Sequence, residues 1–311
     1  MADPVALAAL MLDAAVGWPG ALYRRIGHPV GLFAAMIERG AAWGNRAHQS
    51  FAWRRAAGIL TMVALLTVTA TLCWLAQAAL VNLLAGWAWI VLALLAWPAL
   101  AQRSLHDHVR PVADALDRGD LPAARQAVGM IVGRDTAALD EAGVARAAIE
   151  SLAESFCDGV AAPLFWLLMF GLPGVWCYKA INTADSLIGH REPQWRAFGW
   201  AAARIDDIAN LLPARLGSGI LCLAGMGGWR VMARDHGRHA SPNAGWTEAA
   251  MAGALNLRLA GPIAYDGVVA DKPWIGSGRV EANAADIRRA LRLYRRACLI
   301  LWGVAAAVWL I

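Results

Sequence analysis

Three short stretches of this sequence hold residue types at spacings that can do chemistry. Glu150, Glu154 and Asp158 follow one another at i, i+4 and i+8. On an α-helix that spacing keeps three carboxylates within about 80° on one face. Like charges so placed repel unless a cation sits among them or some take up protons. The set therefore suits Mg2+ or an amine substrate; a solvated helix end, or an N-cap for the apolar run from Gly159, accounts for it otherwise. The second stretch places Lys179, Asn182, Thr183 and Ser186 on one helical face with Asp185 at its border. An ammonium, an amide, hydroxyls and a carboxylate together can hold a Mg2+-bound polyphosphate, or act as polar glue between helices. The third reads Asp206-Asp207-x-x-Asn210 at the start of an apolar helix. It offers two hard oxygen ligands and an amide, and Mg2+ usually takes one or two carboxylates plus substrate phosphates. Arg204 and Arg215 flank the set and can neutralise those phosphates; ion pairing with the aspartates inside a bundle is the alternative.

Weaker polar clusters are Gly133-Arg134-Asp135-Thr136, His239-Ala240-Ser241-Pro242-Asn243 and the run Asp271-Lys272-Pro273-Trp274-Ile275-Gly276. Each can contact phosphate or carboxylate, and turn structure explains each equally well. His106-Asp107-His108 and His236-x-x-His239 are read as surface histidines before metal ligands. No nucleotide-binding glycine loop, zinc-protease or serine-hydrolase signature occurs. Of 28 basic residues only two are lysine, Lys179 and Lys272, and both fall in these stretches. A compact ammonium meets phosphate as a point charge, which a guanidinium does not.

What positions these groups is a membrane. The 311 residues are 59% hydrophobic and 16% charged, with 16 Trp, and mean hydropathy is +0.46. That composition belongs to an integral membrane protein. The net charge of +5 fits Arg-rich cytoplasmic loops, and nucleic acid is not an expected partner. Residues 4–16 predict an interfacial or buried helix, and 30–45 an amphipathic one. Six Arg between 20 and 55 place that segment on the cytoplasmic side. Ala56 to Gln102 carries no charge and predicts a helical pair, 56–76 and 80–101, linked near Gln77 and Asn82. Residues 159–178 are also uncharged, but Gly171-Leu172-Pro173-Gly174 reads as a turn. A single crossing there would export Lys179 and the Arg-bearing loop after it, so two half-length helices that dip in and return are expected.

The expected fold is all-α: a polytopic membrane protein with re-entrant or hairpin segments and cytoplasmic helical loops. It forms one domain over 1–311. The parts are a transmembrane hairpin (56–101), a cytoplasmic helical segment (103–158), a motif-bearing membrane core (159–229), a polar cytoplasmic segment (230–296) and a C-terminal membrane helix (297–311). Strand signals carry no weight. The five scattered Cys make neither a disulfide framework nor a zinc site, and no cleavable signal peptide is evident.

Taken together, VGRDT, ESLAESFCDGVAAPLF, YKAINTADSLIG, ARIDDIANLLPARL, HASPN, GPIAYDG and DKPWIG, in that order, with HPVG near the start, resemble the CobD/CbiB family. The family pattern is departed from at Gly17-Trp18-Pro19 and at Ser155. The resemblance implies adenosylcobinamide-phosphate synthase activity in the cytoplasmic membrane. Such enzymes join adenosylcobyric acid to (R)-1-amino-2-propanol or its O-phosphate, with Mg2+ and ATP as co-substrate. On that basis Asp206, Asp207 and Asn210, with Asn182 and Asp185, are expected to hold Mg2+–ATP. Lys179, Arg204 and Arg215 would neutralise the transferring group. Glu150, Glu154 or Asp158 would bind the amine and take its proton, and Arg134 or Lys272 would hold an aminopropanol phosphate. The bulky corrinoid is expected on the membrane-facing side of 230–290, and later cobalamin enzymes are expected neighbours in the membrane. Two other readings are a transferase acting on lipid diphosphates and a non-catalytic sensor related to a regulator of β-lactamase induction.

Overall fold

Hydrocarbon gives a backbone no partner but itself, so long apolar stretches fold as helices. The computed structural model describes residues 4–133, 135–265, 268–270 and 273–311, with side chains left out over 263–265 and 268–270. It is helical almost throughout. The chain opens with α1 (Val5–Val16), α2 (Gly20–Ile26), α3 (Val30–Gly44), α4 (Phe51–Leu84) and α5 (Ala88–Ala96). Next come α6 (Gln102–Asp117), α7 (Leu121–Gly129) and α8 (Glu141–Phe156), which runs into a π-turn over Cys157–Ala161. The helices α9 (Ala162–Ile188), α10 (Trp200–Ala209), α11 (Leu211–Gly225), α12 (Trp229–Asp235) and α13 (Ala244–Leu255) follow. Four short strands precede the last helix, α14 (Ala284–Leu310).

By length and composition, three stretches can cross a membrane: Phe51–Asp117, Glu141–Ile188 and Ala284–Leu310. Two broken helix pairs pass the same test if each counts as one span. The chain divides into two compact units. The first takes residues up to 101 with 162–210 and 305–311; the second takes 102–161 and 211–304.

In the first unit α4 packs on α9, α3 lies against both, α10 packs on α9 and α4, and α1 packs on α5. The expected turn is present. Gly171 breaks α9 at φ 64°, and a side chain on Gly174 would run into the carbonyl oxygen of Trp166, so the two half-helices lie side by side. Breaking a helix inside hydrocarbon frees backbone donors. Gln77 answers this: its Oε1 accepts from the Leu172 N–H at 2.9 Å. That corrects the placement of the link near Gln77. The helix α4 runs through to Leu84, and the chain turns at Ala85–Trp87. Gln77 is polar because of a partner some ninety residues away, not because a loop passes there.

The second unit packs α11 and α12 on α13, α8 on α13, and α6 on α7 and α8. Strands β1 (Leu259–Ala260) and β4 (Trp274–Ile275) pair antiparallel, Leu259 facing Ile275. Strands β2 (Ile263–Tyr265) and β3 (Val268–Ala270) form a second antiparallel ribbon. These two-stranded pieces lack a sequence signal because each is only two or three residues long. The final helix begins at Ala284 rather than Ala297, so it is long enough to cross.

Candidate active site

The first unit brings Lys179, Asn182, Asp185, Arg204, Asp206 and Asp207 onto two helices packed against each other, α9 and α10, with Asn210 at the C-terminal cap of α10. Their connection is held from outside. Arg54 donates to the carbonyls of Pro193, at 3.3 Å, and Gln194, and Asn45 Nδ2 donates to Gln194 at 3.1 Å. The tightest feature is a relay. The Tyr178 hydroxyl donates to Asn210 Oδ1 at 2.9 Å, and Asn210 Nδ2 donates to Asp206 Oδ2 at 3.0 Å. Beside it Arg204 pairs with Asp207 at 3.0 Å. Asp185 lies within electrostatic reach of Asp207 and Arg204, and His28 of the HPVG motif lies within reach of Lys179. Two groups of the expected polyphosphate face turn back on their own helix. Thr183 Oγ1 donates to the Lys179 carbonyl at 2.7 Å and Ser186 Oγ to that of Asn182 at 2.9 Å, the usual resting bond of a helical hydroxyl. A pocket of about 400 Å3 with an apolar lining that includes Trp166, Phe170, Cys177, Ile181 and Ile205 shares the Tyr178 wall.

Among the described residues no three His, Cys, Asp or Glu side chains gather closely enough to hold a metal alone. The donor set of α10 still fits Mg2+ that arrives on a polyphosphate. Such an ion asks the protein for one or two carboxylates, and Asp206 and Asp207 are adjacent, partly exposed and oxygen-bearing.

The second unit holds the remaining residues. Glu150 Oε1 accepts from the Ala260 N–H of β1 at 2.8 Å. Glu154 is exposed on α8. Asp158 lies in the π-turn, so the α-helical spacing that lined the three carboxylates up ends at Phe156. Such turns are frequent at functional sites. Arg215 donates to the Leu211 carbonyl at 2.8 Å and to Asn243 Oδ1 at 2.7 Å, and its guanidinium lies 4.8 Å from the centre of the Trp246 ring. His236 stacks on the same indole at 3.9 Å, and His239 Nε2 stands 3.6 Å from Glu248 Oε1. Arg134 and Lys272 lie outside the described residues.

Two residues escaped the sequence reading. Tyr178 had a signal, since a phenol in an apolar helix needs a partner for its hydroxyl. Asp235 stood among histidines and arginines that drew attention to metal binding instead. It is fully buried and takes two bonds from Arg234, at 2.7 and 2.6 Å, one contact from Arg238 at 3.2 Å and the Gly276 N–H at 2.9 Å. The Arg234 hydrogen bonds first, then the Gly276 N–H and Arg238, hold its carboxyl below the usual range despite burial.

The model of one family, described as CobD/Cbib protein, matches residues 6–294. A protein of Rhodobacter capsulatus named Cobalamin biosynthesis protein CobD is 50% identical over 97% of this chain and 96% of its own length. Proteins of the same name from Sinorhizobium fredii and Geobacter metallireducens are 46% and 43% identical, over 98% and 96% of this chain and 96% and 95% of theirs. No solved structure matches the chain.

Proposed function

The chain belongs to the CobD/CbiB family, and from that premise we propose that it is a membrane-embedded, ATP-dependent synthase joining adenosylcobyric acid to (R)-1-amino-2-propanol or its O-phosphate. Its role is in cobalamin biosynthesis, as the names of its relatives have it. Its place is the cytoplasmic membrane, with the Arg-rich segment 20–55 on the cytoplasmic side.

The observation that carries the reading is the pairing of α9 and α10. Within helices apolar enough for a bilayer it sets Arg204 beside Asp207 and within reach of Asp185, with Asp206 next in sequence and Lys179 on the packed helix α9. Ionisable groups at membrane depth mark function by default. A carboxylate does not condense with an amine unaided, because its oxygen is a poor leaving group. ATP supplies the better one. The propionate oxygen bonds to the γ-phosphorus as the bond to the bridging oxygen breaks, and ADP leaves. The amine nitrogen then attacks the acyl carbon, the C–N bond forms, and phosphate departs with the acyl oxygen. Asp206 and Asp207 would hold Mg2+, which when bound with ATP supplies neutralising charge on the phosphates. Lys179 and Arg204 meet the charge on the transferring group. The amine must also lose a proton, and Glu154 and Asp158 of the second unit are carboxylates of the kind that can take one. Arg215 and Glu150 are assigned to the fold of the second unit.

The test uses the purified full chain in detergent with adenosylcobyric acid, Mg2+–ATP and either amine, following product mass and released nucleotide. Amide product with ADP supports the proposal as written. AMP instead replaces phosphoryl transfer by adenylation. No amide from folded protein with either amine contradicts it.

A further inference from the structure

We infer that Tyr178 and Asn210 are positioning residues that aim the Asp206 carboxylate, and that Asn210 is not itself a ligand of the cation; the inference rests on the Mg2+–nucleotide reading above. Sequence spacing alone makes Asn210 look like a third oxygen ligand. The hydrogen bonds say otherwise. An ionised carboxylate only accepts, so the group that Asn210 turns to Asp206, at 3.0 Å, must be its amide nitrogen. Flipping the amide would set two acceptors against each other. The oxygen is thereby sent the other way, to Tyr178, whose hydroxyl donates to it at 2.9 Å. Chemistry leaves one orientation for the whole chain Tyr178 to Asn210 to Asp206.

Burial points the same way. Asn210 is 2% exposed and Tyr178 1%, whereas Asp206 is only partly buried. Asp206 is partly exposed as a residue although its Oδ1 is enclosed, whereas the Asn210 oxygen lies in the core on the Tyr178 hydroxyl, so a cation arriving with phosphate meets Asp206 before it could reach that oxygen. The support is also stiff. The N–H of Asn210 donates to the Asp206 carbonyl at 2.9 Å, so the two residues are tied by backbone as well as side chain. The Trp166 indole, on the other half of the α9 hairpin, donates to the neighbouring Ala209 carbonyl at 3.1 Å. The hairpin thus supplies one end of the relay, Tyr178, and steadies the backbone beside its middle, Asn210, so that α9 orients a carboxylate that α10 presents. Hydrogen-bond partners of ligating carboxylates fix their direction, and losing one typically costs about 10- to 100-fold in metal affinity.

The test uses the full chain in detergent, with Mn2+ replacing Mg2+ and ATP present, and reads bound Mn2+ from the loss of its free paramagnetic resonance signal. Tyr178→Phe removes one hydroxyl and no bulk; it is expected to weaken Mn2+–ATP binding about 10- to 100-fold. Asn210→Leu is expected to weaken it similarly, and the double variant no further, because tyrosine acts through the amide. Melting of each variant is followed alongside, and Tyr178→Phe decides alone if Asn210→Leu does not fold. Wild-type affinity in Tyr178→Phe, together with no binding in Asp206→Asn, overturns the positioning role while leaving the carboxylate reading in place. Additive losses in the double variant overturn the relay. Full binding in Asp206→Asn removes the carboxylate reading itself, and the inference with it.

Discussion

The two units both bury charge, and they do so for opposite ends. In the second unit Asp235 is enclosed by Arg234, Arg238 and the Gly276 N–H, and Glu150 takes the N–H of Ala260. Both carboxylates hold backbone at the base of one ribbon, since β1 carries Ala260 and Gly276 follows β4. Asp235 bonds to side chains too, but like Glu150 it also holds a backbone N–H, whereas in the first unit the bonds run between side chains, Asn210 to Asp206 and Arg204 beside Asp207. A carboxylate bonded to backbone is a staple, because moving it breaks the fold. One bonded to other side chains at a partly exposed helix end can exchange partners when a ligand comes. The sequence displays the same letters in both places; the partners decide the role.

This contrast can be broken in the second unit first. Asp235→Ala strands two guanidinium groups and a buried N–H. The arginines are half exposed, 50% and 44%, so the loss is discounted to about 3 kcal/mol, read as a lower melting temperature. The same clamp sets a pH dependence. The Asp235 carboxyl is held below its ordinary value when folded, so its contribution is present at neutral pH and is lost as pH falls through the folded value. Acid melting of Asp235→Asn should therefore be flatter than wild type below the usual carboxylate range. In the first unit, Gly171→Ala forces a side chain into a positive-φ turn and against the Gln77 amide, at a cost of about 2 kcal/mol in thermal melting. Unchanged melting would remove the turn as the device that pairs the half-helices. The smallest effect belongs to Glu150→Gln. Its amide oxygen still accepts from Ala260, so stability should stay within about 0.5 kcal/mol and turnover within about twofold. A collapse of turnover at unchanged stability would make Glu150 chemical and erase the distinction between the units.

Much of the architecture was legible. Uncharged runs gave the helices, and Gly171 to Gly174 marked the break in α9 because glycine tolerates the positive φ found at Gly171. The resemblance grouped Asp185, Arg204, Asp206 and Asp207, and the packing of α10 on α9 brings Asp185, Arg204 and Asp207 within electrostatic reach of one another. What escaped depends on partners far off in sequence. Gln77 read as a link because nothing near it needs an amide; its partner is Leu172. For Asn210, spacing cannot show which amide atom faces the acid; the structure turns its nitrogen to Asp206. The β1–β4 ribbon was invisible because carboxylates on α8 and at the end of α12, not strand propensity, hold its base.

The most direct test of the central claim is the amide-forming turnover of Asp207→Asn beside wild type, with melting shown to be unchanged. Removing a charge that meets Mg2+–ATP should lower kcat/KM by about 100-fold or more. A folded Asp207→Asn protein that makes adenosylcobinamide or its phosphate at the wild-type rate would contradict the claim that the α9–α10 cluster carries the chemistry.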